Sequence, residues 1–445
     1  MTMEDGDTIF APATASGRAG VAVLRLSGAR ALDAVRLLAG RLPEPRRMSR
    51  AALRDPVSGD VLDEALIVVF PGPASFTGED VAELHIHGGR AVTAAVAAAL
   101  GAMRGVRPAE PGEFSRRAFL NDKLDLSAAE GILDLVDAET DAQRRQALRQ
   151  VDGGLARRIE GWRGSLIRSM ARLEAWIDFP EEELPNSVIR QIEDDLSSLA
   201  SELREELGRS RRAERLREGL CMTILGPPNA GKSSLLNWLS KRDVAIVSTT
   251  AGTTRDVLDV HLDLSGYPVT VSDTAGLRKT GDSIEAEGVR RALRRAADAD
   301  MKILMVDATE GADARAVMLE RIDADTVAVM NKIDLDATPP PSPWLGISLV
   351  TGAGMQALMD QLTNMAADRL DVGSVPVLTR ERHRVAVADA VDAIDRAREG
   401  LAEAAPLEFP AEDLRLAARA LGRVSGRVDV EDLLDAIFAE FCLGK

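Results

Sequence analysis

The sequence predicts a multidomain fold of α+β and α/β class in which one domain is inserted into another. Three observations carry that expectation. Residues 1–120 hold short apolar runs bounded by Gly, Pro and Asp, as strands of a mixed α/β domain do. Residues 121–217 and 373–445 show long helical periodicity with charged faces. Between them, residues 218–372 alternate apolar runs with helical stretches, the pattern of a parallel βαβ domain. A length of 445 residues suits two or three such domains.

In the first domain, 21–26 and 65–70 read as strands and the Ala-rich stretch 90–103 as a helix. The helical pattern then runs from 127 to 218, broken around 179–185 by Pro180 and Pro185. Strands are expected at 221–225, 269–272, 303–307 and 326–331, with the Pro-rich stretch 339–343 a loop inside the same domain. Beyond residue 376 the chain returns to helix from 382 to 441. That last block is short, and neither helical block alone buries enough apolar face. The two are therefore expected to pack as one discontinuous helical domain, the alternative being two separate helical appendages.

Charge narrows the classes of function. The chain carries 55 Lys+Arg against 71 Asp+Glu, a net charge of −16, which excludes a uniformly basic protein held on nucleic acid by bulk charge. Only 7 of the basic residues are Lys against 48 Arg, so each Lys raises the question of whether a compact ammonium is needed there. Cys221 and Cys442 cannot build a disulfide framework or a four-thiolate zinc site, and a reducing cytoplasm is expected. The first residues lack a basic region followed by an apolar one, and the weakly polar stretch 91–103 is too short to span a bilayer, so neither secretion nor a membrane is expected. Aromatics make up 3%, with Tyr267 the single tyrosine, which argues against a broad platform for stacking bases.

The clearest chemistry lies where the strand 221–225 runs into Gly226-Pro227-Pro228-Asn229-Ala230-Gly231-Lys232-Ser233, followed by a helix over 234–239. Glycines there let backbone N–H groups curl around a β-phosphate, and the helix N-terminus adds a favourable dipole. Lys232 is expected to reach the β- and γ-phosphates, and the Ser233 hydroxyl to ligate Mg²⁺. Three further motifs follow in order: Gly252-Thr253-Thr254-Arg255-Asp256, Asp273-Thr274-Ala275-Gly276 and Asn331-Lys332-Ile333-Asp334. Thr254 is placed to sense the γ-phosphate through Mg²⁺, Asp273 to hold the metal's water shell, and Gly276 to offer its N–H to the γ-phosphate. Asp334 can accept both N1–H and the N2 amino group of guanine, donors that adenine does not present together, so the nucleotide is GTP or GDP. Lys332 can lay its stem across the base, and Ser348-Leu349-Val350 falls where a last guanine loop belongs, with Leu349 where an Ala is usual. Together these describe a P-loop, Ras-like G domain. Its hydrolytic groups are unusual: Leu277 stands where a water-orienting Gln is common, and Arg255 reads as a surface residue rather than an arginine finger.

Along essentially its whole length the chain resembles the MnmE (TrmE) family of tRNA-modifying GTPases. The resemblance is carried by Asp7-Thr-Ile-Phe10, Gly17-Arg-Ala-Gly-Val21, the run Ser75 to Glu83, His85-Ile-His-Gly-Gly89, Pro111-Gly-Glu-Phe114, the run Arg117 to Leu126 and Ile177-Asp-Phe-Pro180. It ends with Phe441-Cys442-Leu443-Gly444-Lys445, where the family usually has Ile in place of Leu443. The resemblance implies an N-terminal folate-binding domain (1–120) that also dimerises, a helical domain in two parts (121–217 and 373–445), and the G domain (218–372) inserted between them.

It also implies a potassium ion beside the phosphates in place of an arginine finger. Asn229, Ser248, Thr250 and Thr253 are its implied ligands, and Thr249 and Ala251 complete that loop around GTP together with Ser234 in the first turn of the helix. Glu285 matches the family's water-orienting glutamate; read without the resemblance it is a solvated helix charge. The implied site for 5-formyl- or 5,10-methylene-tetrahydrofolate maps onto Arg25, Glu83, Lys123 and Lys445. Cys442 could work as a thiolate, whereas Cys221 reads as a core residue and His85 and His87 as ordinary strand residues. The implied function is modification of C5 of the tRNA wobble uridine with MnmG, an FAD/NADH protein, in a heterotetramer that shares the tRNA. Two other readings remain: a potassium-stimulated GTPase switch in ribosome assembly or signalling, and a folate-sensing protein with vestigial turnover.

Overall fold

The alternating apolar pattern of the first 110 residues resolves into a six-stranded sheet. The computed structural model describes residues 7–15, 17–178, 186–242, 245, 259–272, 299–310, 318–320, 322–336, 338–370, 378–403, 405–428, 431–442 and 444. In chain order the first elements are β1 (Thr8–Pro12), β2 (Ala19–Ser27), α1 (Ala31–Ala39), β3 (Ser49–Arg54), β4 (Val61–Phe70), β5 (Val81–Gly88), α2 (Arg90–Gly101), β6 (Val106–Pro108) and α3 (Glu113–Leu120). The strands order as β3-β4-β5-β2-β1-β6, antiparallel throughout except for the parallel pair β1–β6. Period-two alternation decides the faces. In β5, Ala82, Leu84 and Ile86 are buried with Leu24 and Leu26 of β2 under α1 and α2. Each buried Leu contributes about 2 kcal/mol. The intervening Glu83, His85 and His87 lie on the other face, which is where the polar chemistry of this sheet collects.

Four helices follow: α4 (Leu126–Asp137), α5 (Asp141–Val151), α6 (Gly154–Asp178) and α7 (Asn186–Glu218). Then come β7 (Leu220–Leu225), α8 (Lys232–Ser240), β8 (Asp259–Leu264), β9 (Tyr267–Ser272), β10 (Met301–Asp307), β11 (Thr326–Asn331), β12 (Leu345–Gly346) and α9 (Met355–Leu370). The chain closes with α10 (Glu381–Ala402), α11 (Glu408–Ser425) and α12 (Glu431–Ala439). Two compact units result. One comprises Met1–Leu133, Val151–Gly164 and Ala418–Lys445, the other Asp134–Gln150 and Ser165–Ala417.

In the second unit the sheet order is β12-β11-β10-β7-β9-β8, parallel except for the β8–β9 hairpin. Strand β10 shows why it reads as a continuous apolar run: Met301, Ile303 and Met305 enter one core while Leu304 and Val306 enter the other. Helices α7 and α10, which flank the βαβ segment in sequence, pack along each other and are tied by an Arg204–Asp395 ion pair. Ala142 of α5 joins the core of the βαβ sheet, and its N–H donates to the Gly266 carbonyl at 3.2 Å.

In the first unit α12 packs on α3, with Leu434, Phe438 and Phe441 against Leu126 and Leu133. Gly112 permits this approach. It adopts φ +67°, and a Cβ there would sit 2.5 Å from the Phe438 carbonyl oxygen.

Every expected strand is present, extended by up to four residues. The helical block expected over 382–441 consists of three helices. One break precedes Pro406; the other falls at Gly426, whose φ of +83° no helix accepts. Antiparallel β8 was not expected in a parallel domain. Among the described residues no helix is long and apolar enough to cross a membrane.

Candidate functional site

Strand β7 delivers the chain to Gly226, and α8 starts six residues later at Lys232. Two glycines in the loop are sterically required. At Gly226 (φ +145°) a Cβ would lie 2.0 Å from the Met305 carbonyl oxygen, and at Gly231 (φ +104°) 2.4 Å from Asn331 Nδ2. Asn229 sits at φ +64°, a region Asn tolerates better than most residues. The Lys232 ammonium donates to the carbonyls of Gly226 at 2.8 Å and Pro227 at 2.7 Å, so it already lies inside the loop. Ser233 and Ser234 are exposed in the first turn of α8, whose leading N–H groups have no intrahelical acceptor.

The base side is built from the ends of β10, β11 and β12. Asn331 closes β11 and is 3% exposed. Its Nδ2 donates to the Ala230 carbonyl at 2.9 Å, tying the two loops together. Its buried Oδ1 has no partner among the described residues. Lys332 adopts φ +66° and pairs its ammonium with buried Asp307. Burial alone would raise the Asp307 carboxyl, but hydrogen bonds from Lys332 and Thr309 outweigh it and hold the group below its ordinary value. Ile333 N–H donates to Ile347. The Asp334 carboxylate is exposed and has no hydrogen-bond partner among the described residues. Ser348 is fully buried, its Oγ accepting the Thr351 N–H at 3.1 Å. Leu349 packs beside Gly231, while Val350 is 86% exposed.

In the N-terminal sheet Arg25 of β2 lies directly across from Glu83 of β5. Its Nε and Nη2 both donate to Glu83 Oε1, at 3.1 and 2.9 Å, and its guanidinium lies 5.6 Å from the Phe76 ring centroid. Glu83 Oε2 is 3.4 Å from His85 Nε2, and His87 Nδ1 is 2.7 Å from Asp63. Lys123 is exposed, its stem against Gly78. The C-terminal tail reaches the same sheet. Phe441 is buried, and Gly444 (φ +91°) is so close to β1 that a Cβ would meet the Pro12 carbonyl oxygen at 2.2 Å. The neighbouring Ala11 is the β1 partner of Arg25, and Cys442 is exposed in this tail.

One network had no role assigned from sequence. Ser27 Oγ bonds Thr77 and Glu79, both at 2.6 Å, and Arg117 bridges Glu79 at 3.0 Å and Glu113 at 2.9 Å. Arg107 then reaches Glu113 at 2.7 Å. The signal was present, since Glu79, Glu113 and Arg117 all lie in the family-like motifs. Cys221, read as a core residue, is half-buried, and its N–H donates to Asp300. Ser248, Thr249, Thr250, Ala251, Gly252, Thr253, Thr254, Asp273, Thr274, Ala275, Gly276, Glu285 and Lys445 lie outside the described residues, as do Arg255 and Leu277.

Comparison with known proteins bears on both ends of the chain. The family model described as MnmE helical domain matches residues 126–442, and that described as GTP-binding protein TrmE N-terminus matches residues 8–123. Three curated relatives are each named tRNA modification GTPase MnmE. That of Paramagnetospirillum magneticum is 57% identical, over 99% of this chain and 100% of its own. That of Rhodospirillum rubrum is 55% identical, over 99% of both chains. The relative from Parvibaculum lavamentivorans is 53% identical, over 99% of this chain and 100% of its own. With likeness of this extent across both matched regions, the chain belongs to the MnmE family of tRNA modification GTPases.

Proposed function

We propose that this GTPase is potassium-activated and acts in the cytoplasm with MnmG, as a heterotetramer that shares the tRNA. Together they modify C5 of the wobble uridine with a one-carbon unit from tetrahydrofolate, to cmnm5U34 or nm5U34. The supporting observation is the joined nucleotide site: the Asn331–Ala230 bond locks base loop to phosphate loop, leaving Asn331 Oδ1 unpaired and Asp334 open. Asp334 accepts the two guanine donors that adenine lacks together. Lys232 exchanges two loop carbonyls for phosphate oxygens when the nucleotide enters.

Ser233 and Thr254 would hold Mg²⁺, and Asn229, Ser248, Thr250 and Thr253 would hold K⁺. These cations supply positive charge against the phosphoryl oxygens, as an arginine finger does in other GTPases. Glu285 takes the water-orienting role that Leu277 cannot perform. In the N-terminal domain, which also forms the homodimer, the folate site falls to Arg25, Glu83, Lys123 and Lys445. Glu83 fits it: Arg25 takes up Oε1, and Oε2 keeps acceptor capacity for the guanidine-like edge of a pterin. The tail seated on β1 brings the Cys442 thiol to the same domain. GTP turnover serves as a conformational switch, apart from the chemistry on uridine.

Steady-state GTP hydrolysis in KCl and NaCl tests the hydrolytic half of this reading. Potassium should raise the rate by at least about tenfold, and Glu285→Ala should remove that gain. Equal rates in the two salts, or full activity without Glu285, reject it.

A further inference from the structure

Asp307 lies at the end of β10, in none of the nucleotide motifs, yet its carboxylate points to the guanine side of the site. In the β10–β11 ladder it is paired with Asn331, and the Ala308 N–H donates to the Asn331 carbonyl at 2.8 Å. Asp307 is 5% exposed, and both carboxylate oxygens are used. Oδ1 accepts the Thr309 N–H at 2.9 Å and the Thr309 hydroxyl at 2.8 Å, while Oδ2 pairs with the Lys332 ammonium. Lys332 is the residue held at φ +66°, between Asn331 and the turn to Asp334. A side chain in that region needs an external tie to stay there.

We propose that Asp307 is a positioning residue for guanine recognition: by anchoring the Lys332 ammonium it holds the left-handed turn that presents Asn331 and Asp334, and lays the Lys332 stem flat beneath the base. Thr309 fixes Asp307 in turn. The tie acts first on the base contacts: Lys232 is held by its own bonds to the loop carbonyls, and the two loops share the single Asn331–Ala230 bond, so the base side loosens before the phosphate side. The proposal deepens the reading of this site as a guanine-nucleotide site and rests on it.

The test is equilibrium binding of a fluorescent (mant) GDP, with inorganic tripolyphosphate as a competitor that lacks a base. Asp307→Asn should weaken mant-GDP about tenfold while tripolyphosphate changes by less than about twofold. Lys332→Met should cost a similar factor, and the double variant no more than the worse single one, since both break the same tie. Thr309→Val, which removes one hydroxyl and leaves the backbone donor, should weaken mant-GDP about threefold, and it decides the matter if Asp307→Asn does not fold. Unchanged mant-GDP affinity in a folded Asp307→Asn or Thr309→Val protein overturns the proposal. So does an equal loss of tripolyphosphate, or independent multiplication of the two single effects. Failure of the wild-type chain to bind mant-GDP would instead reject the guanine-site reading itself.

Discussion

Two residues show how much of this protein rests on single atoms. Gly226 has no room for a methyl group against the Met305 carbonyl. Gly226→Ala should therefore displace the phosphate loop and lower GDP affinity by at least about a hundredfold in a binding titration; near-native affinity would contradict the loop geometry. Glu113 is a buried carboxylate in the network of Arg107 and Arg117. Burial would raise its carboxyl, but Arg107, the Glu110 N–H and Arg117 hold it below its ordinary value. Its contribution is therefore fully present above its unfolded value of about 4.3 and is lost as pH falls through the lower folded value. Glu113→Ala leaves two arginines facing a buried gap and should cost about 3 kcal/mol at pH 7 by denaturant unfolding. The difference from wild type should shrink below about pH 4; a gap that is constant with pH would show that the carboxylate is not held in its charged form. The residues legible from sequence were those whose motif implies one geometry, such as Lys232. Asp307 was not legible, because an Asp ending an apolar strand shows its partner only once β10 and β11 lie side by side.

At the level of elements, the strands that bury both faces read plainly, and β7, β10 and β11 stand where their apolar runs place them. Strand β8 was not read although 259–264 alternates polar Asp259, His261 and Asp263 with apolar residues; it pairs antiparallel with β9 through the turn at Ser265 and Gly266. The helical block over 382–441 is divided before Pro406 and at Gly426, residues that end helices. The C-terminal tail yields the element-scale prediction. Gly444→Val cannot sit against Pro12 and should release the tail from β1. Intrinsic GTP hydrolysis should stay within about twofold of wild type while wobble modification is lost in a reconstituted assay. Loss of both together, or of neither, would contradict a role for the tail apart from the nucleotide site.

At the scale of the molecule, one compact unit carries the guanine-nucleotide site and the other carries the polar sheet face and the tail. The net charge of −16 leaves no bulk positive charge to hold nucleic acid by itself. Of the seven lysines, Lys232 and Lys332 lie in the nucleotide site, while Lys302 pairs with Asp323; that bond, with a second from the Thr326 hydroxyl, lowers the Asp323 carboxyl to about 2. The claim that binds these parts together is that guanine-nucleotide turnover by this chain is needed for the wobble uridine to be modified. It is tested most directly by nucleoside mass spectrometry of tRNA from cells whose own copy of the gene is deleted and replaced by wild type or Lys232→Ala. The account predicts modified wobble uridine with wild type, and its disappearance both in the deletion and with Lys232→Ala. Intact modification in the deletion strain, or full modification with Lys232→Ala, would contradict it.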